Sequence, residues 1–125
     1  MILGIGTDHV EVESFTSLMK RKRGAFVRRV FTEAEIKSAR TSNSQRQSLA
    51  GRFAAKEATM KAFGTGWTDT FDWKDVEVRN RKSGQPQVTL KGQAATLATK
   101  LRVKRILVSI SHTKHLASAV VVLEG

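Results

Sequence analysis

Two carboxylates and a lysine carry most of the chemistry that this 125-residue chain can offer. Glu57 and Lys61 stand four positions apart in Arg52-Phe53-Ala54-Ala55-Lys56-Glu57-Ala58-Thr59-Met60-Lys61. On a helix they lie one turn apart and about 40° from each other around the axis, so both can face one site. That spacing is equally the spacing of a surface ion pair. Asp8 follows Gly6 and Thr7, where the backbone can come close to a ligand, and also reads as a turn or cap residue. Two carboxylates from different elements, with waters and a phosphate completing the shell, are a usual way to hold Mg²⁺. His112 closes Val108-Ser109-Ile110-Ser111-His112 and either binds phosphate or packs as a partly buried structural residue. His115, beside Lys114, reads as a turn residue. Gly64-Thr65-Gly66 is either a helix stop or a phosphate-binding turn, and it is too short to be a dinucleotide fingerprint.

The elements that must position these groups follow from pattern. Ile2 to Asp8 reads as a short buried strand ending on the aspartate. Ser14 to Met19 has helical spacing, up to the basic run Lys20 to Arg23. Thr32 can cap a helix whose Glu35 reaches back to complete a capping box. Thr41 to Ser48 is polar and loop-like. A long alanine-rich helix runs from about Gln47 to Phe63, with Phe53, Met60 and Phe63 toward the core and Gly64 and Gly66 at its stop. Val76 and Val78, then Val88 and Leu90, flank the turn signal Lys82-Ser83-Gly84-Gln85-Pro86 and predict a hairpin. Gln93 to Leu101 reads as an amphipathic helix, and Ile106 to His112 and Ser118 to Leu123 as strands around a turn at Lys114. No repeat or linker divides the chain, so residues 1–125 are expected to form one domain of the α+β class.

Composition bounds the function. The chain is 40% hydrophobic and 26% charged, which is globular rather than disordered. With no cysteine there is no disulfide, thiolate site or cysteine nucleophile. The sequence shows neither a secretory leader nor an apolar run long enough to span a membrane, which points to the cytoplasm. Its 22 basic residues against 11 acidic ones give +11, and an anionic partner is expected: nucleic acid, a phosphate-rich small molecule or an acidic protein. A nucleic-acid site would interleave aromatic or polar side chains with the basic run, and Lys20 to Arg23 has none.

Taken together, Gly4-Ile5-Gly6-Thr7-Asp8, Phe31-Thr32-Glu33-Ala34-Glu35, Gly51 to Ala58 with Lys61 to Gly66, and Ser109-Ile110-Ser111-His112-Thr113 resemble the small holo-acyl-carrier-protein synthases, which are 4′-phosphopantetheinyl transferases. The resemblance implies transfer of the phosphopantetheine arm of coenzyme A to a serine of an acyl carrier protein or carrier domain, serving fatty acid biosynthesis. It implies helices packed on a mainly antiparallel sheet, and a homotrimer with active sites between subunits. It implies Mg²⁺ at Asp8 and Glu57, charge neutralisation by Lys61, and Arg52, Gly64, Thr65, Gly66, Ser111, His112 and Thr113 about the adenosine 3′-phosphate. Glu57 is then the candidate base. Many relatives carry a basic residue six positions after the aspartate, where this chain has Ser14. Carrier docking is therefore expected at Arg28 and Arg29, with help from Arg21 or Arg23.

Overall fold

The computed structural model describes residues 1–21, 24–40, 44–64 and 71–125. Strand β1 (Ile2–Glu11) leads into helices α1 (Val12–Arg21), α2 (Ala25–Val30), α3 (Glu33–Arg40) and the long α4 (Gln45–Phe63). A hairpin of β2 (Val76–Asn80) and β3 (Pro86–Leu90) follows, then α5 (Gly92–Lys100), β4 (Arg105–His112) and β5 (Leu116–Glu124). The strands form an antiparallel sheet in the order β1-β5-β4 and a separate antiparallel pair, β2-β3. The α+β expectation holds.

Most local signals are honoured. The Thr32 hydroxyl accepts the Glu35 N–H at 3.2 Å, and the Glu35 carboxylate accepts the Thr32 N–H at 2.9 Å, completing the capping box. Gly64 ends α4 with φ of 77°, a left-handed conformation that a residue with a Cβ adopts at a cost. The hairpin pairs Val76 with Leu90 and Val78 with Val88.

Strand β1 departs from expectation. It does not stop at Asp8 but runs on to Glu11, because β5 pairs with it throughout, Asp8 opposite Ala119 and Glu11 opposite Leu116. Nor is it buried on both faces: Ile2 and Ile5 are 68% and 67% exposed, whereas Gly6 on the other face is buried. Asp8 lies on the same face as Gly6 and its carboxylate is met there by Lys61, so a polar side chain need not end the strand.

That inner face is where α4 lies. A Cβ on Gly4 would fall 2.1 Å from the Ala62 carbonyl oxygen, and one on Gly6 would fall 1.9 Å from that of Ala58. Helix and strand are in backbone contact, which only glycine in the strand and small residues on the helix permit. The buried Met60, Phe63, Val76, Val78, Val121 and Leu123 form one core; Phe15, Val30, Phe31 and Leu49 form a second around α1 to α3. Phe53 stacks on Trp73, with ring centroids 5.1 Å apart.

Candidate active site

The glycine seam fixes which turn of α4 faces β1. With Ala58 and Ala62 against Gly6 and Gly4, the turn carrying Glu57 and Lys61 is set beside Asp8. Lys61 Nζ bonds Asp8 Oδ1 at 3.0 Å and the Thr7 carbonyl at 3.1 Å. The lysine side chain is 54% exposed and the aspartate 15%, so the pair sits at an open edge of the molecule. Glu57, half-buried, is one turn earlier on the same side of the helix. Lys61 thus reaches across to the strand, joining α4 to β1 at this edge.

A second feature lies toward the start of α4. An open cleft of about 230 Å³ is lined by Ser48, Arg52 and Gly51 from α4, Asn80 and Gly84 from the β2-β3 hairpin, and His112 from β4. Arg52 and His112, expected together from sequence, do meet here. The Arg52 guanidinium is buried and already committed: Nε donates to the Val78 carbonyl at 3.2 Å, and the terminal nitrogens donate to Ser48 and, at 2.9 Å, to Ser38 Oγ. Desolvation lowers its pKa, opposed by the nearby Glu35 carboxylate.

The other expected phosphate ligands divide. Ser111 precedes His112 on β4, so alternation turns it to the opposite face, with Ser109 and Leu107. The Thr113 hydroxyl accepts the N–H groups of His115 at 3.3 Å and Leu116 at 3.1 Å, closing the β4-β5 turn. Gly64 is exposed just past the helix, and Thr65 and Gly66 lie outside the described residues.

Sequence reading passed over Lys56 and Glu35 as a pair. Both side chains are 0% exposed and bonded at 2.9 Å, with Lys56 over the Phe31 ring. Burial drives the Lys56 pKa down, and Glu35 chiefly resists it. The signal was present: Lys56 falls between Phe53 and Met60 on the core face of α4, and an ionisable group there requires a partner. The hairpin side of the cleft, Asn80 and Gly84, had no such local signal.

Comparison with known proteins decides the family. The model of the 4′-phosphopantetheinyl transferase superfamily matches residues 4–121. The chain belongs to that superfamily. Among curated transferases, a holo-[acyl-carrier-protein] synthase from Solibacter usitatus is 44% identical over 125 residues, covering 100% of both chains. Among solved structures, the holo-[acyl-carrier-protein] synthase of Neisseria meningitidis superposes with a TM-score of 0.92 at 30% identity, over 100% of each chain. That of Bacillus anthracis, solved in complex with CoA (3′,5′-ADP), gives 0.82 at 35% identity, over 100% of this chain and 98% of that one. The two glycines, the α4 turn and the cleft are therefore features of a transferase of this superfamily.

Proposed function

We propose that this protein is a holo-acyl-carrier-protein synthase, moving the 4′-phosphopantetheine arm of coenzyme A to a serine of an apo-acyl carrier protein and releasing adenosine 3′,5′-bisphosphate. The observation that carries the reading is the Asp8, Glu57 and Lys61 cluster at the glycine seam, in a chain whose full-length relatives bear that name. A solved relative holds CoA (3′,5′-ADP), which supports coenzyme A as the substrate here.

The donor chemistry fits magnesium. Asp8 and Glu57 are hard oxygen donors from two elements, and among the described residues no group of three histidines or carboxylates competes for a different metal. Bound there, Mg²⁺ would neutralise charge on the pyrophosphate of the coenzyme. The rest falls to side chains of this chain. Glu57 takes the proton of the carrier serine as its oxygen forms a bond to the β-phosphorus, and the bond to the bridging oxygen breaks. Lys61 stabilises charge gathering on the departing adenosine bisphosphate, held until then against Asp8. Arg52, His112 and the Gly64-Thr65-Gly66 turn, with Ser111 and Thr113 at the β4 end, serve the 3′-phosphate end.

Assembly as a trimer completes the site, and the exposed face of the β1-β5-β4 sheet supports it. Ile5, Leu107 and Val120 are 67%, 48% and 42% exposed, and Val122 pairs with both Ile5 and Leu107, so the apolar side chains are neighbours. Ser111 lies on this face, where a neighbouring copy would bring it to a site that its own chain does not offer. The acidic carrier is assigned to the groove between α1, α2, α3 and the start of α4. Its floor is Met19, Val27 and Leu49 and its rim includes Lys20, Arg28 and Arg40, which suits a helix with acidic and apolar sides. No helix among the described residues is long and apolar enough to cross a membrane, and we place the reaction in the cytoplasm.

Incubation with coenzyme A, Mg²⁺ and apo-carrier, followed by mass spectrometry, tests the reading directly. The carrier should gain about 340 Da, the mass of the transferred group. An unmodified carrier, with enzyme shown to be folded, overturns it.

A further inference from the structure

Among the described residues, strand β2 pairs with β3 on one side only. On its other side, charged side chains from α3 and α4 take the position of a neighbouring strand. Glu35 Oε2 accepts the Val78 N–H at 2.9 Å, and Arg52 Nε donates to the Val78 carbonyl at 3.2 Å. Lys56 Nζ donates to the carbonyls of Val76 and, at 3.0 Å, Trp73. Its third proton goes to Glu35 Oε1, which also accepts the Thr32 N–H. An ammonium has three donors, and all three are used.

A buried ion pair is weak evidence for stability, because apolar residues of similar volume often serve as well. Direction is what this one supplies. Its bonds run from Lys56 on α4 and Glu35 on α3 to three backbone groups around β2, so they fix both the rotation of α4 and the distance of the hairpin from it. The same helix presents Arg52 to the cleft and Lys61 to Asp8, and the same hairpin brings Asn80, Gly84 and Pro86 to the far wall of the cleft.

We propose that Glu35 is a positioning residue for the coenzyme cleft, acting through Lys56 and Val78 to hold the hairpin at a spacing that admits the phosphorylated end of the coenzyme. The inference rests on the transferase reading of that cleft. Neither Glu35 nor Lys56 touches the substrate; their effect is on how well the walls fit it.

The test compares wild type, Glu35→Gln, Lys56→Met and the double variant, each with its folded fraction measured by circular dichroism at the assay temperature. The expected result is a rise of about tenfold in the coenzyme KM for each single variant, with the carrier KM unchanged. The double variant should be no worse than the worse single one, since the two residues act in series. Hydrogen exchange should quicken at the amides of residues 76–80 in the same variants. Loss of folded protein alone would lower apparent turnover and leave the coenzyme KM where it was, so an unchanged coenzyme KM, or effects that add, overturns the proposal. Should Glu35→Gln not fold, Lys56→Arg keeps a cation beside Glu35 while displacing its donors, and the same rise in coenzyme KM is required of it. If wild type transfers nothing, the transferase reading fails first. Whether Glu35 pins the hairpin is then decided by exchange at Val78, and unaltered exchange refutes it.

Discussion

Lys61 Nζ lies 3.0 Å from Asp8 Oδ1, although 53 positions separate the two residues in the chain. The contact joins strand to helix at the point where the proposed metal and phosphates are to be held, so it fixes the geometry before substrate arrives. Removing either carboxylate should abolish the chemistry without unfolding the protein. Asp8→Ala and Glu57→Ala are each expected to lose transfer by at least about 100-fold at ordinary Mg²⁺, with little change in the melting curve. Wild-type rates in either variant would refute the metal assignment.

Lys61→Ala should act on turnover more than on binding, because the charge it stabilises grows toward the transition state. The expected outcome is a kcat lowered by roughly 100-fold with a coenzyme Kd changed by less than about threefold. Isothermal titration beside steady-state kinetics separates the two. A normal kcat with a raised KM would reduce Lys61 to a ground-state contact.

Gly6→Ala asks how far the seam tolerates separation. A methyl there would sit 1.9 Å from a backbone oxygen of α4, which cannot swing aside as a side chain would. Helix and strand must part, at a cost of about 1–3 kcal/mol, and the urea midpoint should fall accordingly. Activity should fall further than the folded fraction, since Asp8 and Glu57 part with them.

Arg28→Glu combined with Arg29→Glu should raise the carrier KM, leave coenzyme affinity unchanged and flatten the salt dependence. Arg28 lines the basic groove; Arg29 is exposed but lies outside its lining, and Arg23 lies outside the described residues. Sedimentation should show a trimer, and Leu107→Asp should dissociate it with loss of activity. An active wild-type monomer would refute the shared site.

Acid should loosen the joint between α3 and the hairpin. Burial pushes the Glu77 carboxyl up, but the Thr32 hydroxyl bonded to it at 2.6 Å, then Lys91 and Arg79, outweigh that and hold it below 4.5. A carboxyl depressed in the folded state contributes stability that is full above its unfolded value and fades as pH falls through the folded one. Wild type should therefore be more stable than Glu77→Gln at neutral pH, and the gap between their urea midpoints should narrow below pH 4.5. A gap that is constant with pH would exclude titration of Glu77 as its origin.

What could be read from sequence was what local physics decides. The α4 periodicity, the Thr32 and Glu35 box, the Gly64 stop and the hairpin turn each follow from a few adjacent residues, and each holds in the structure. Asp8 was misplaced at a strand end because the length of β1 is set by its partner β5, which is more than a hundred residues away. Gly6 was taken as room for a ligand, whereas it is room for α4. The commitments of Arg52 to Val78, Ser48 and Ser38 depend on where the hairpin docks, which no local pattern encodes.

The charged covering of β2 bears on a different hazard. A strand with one free edge presents a row of donors and acceptors on which another chain can build, the first step toward ordered aggregates. Here the Val76 and Val78 groups on that side are already taken by Glu35, Arg52 and Lys56, and an incoming strand would have to displace a buried ion pair to reach them. Variants that weaken the pair should thus be prone to precipitate during expression even where the purified enzyme still folds.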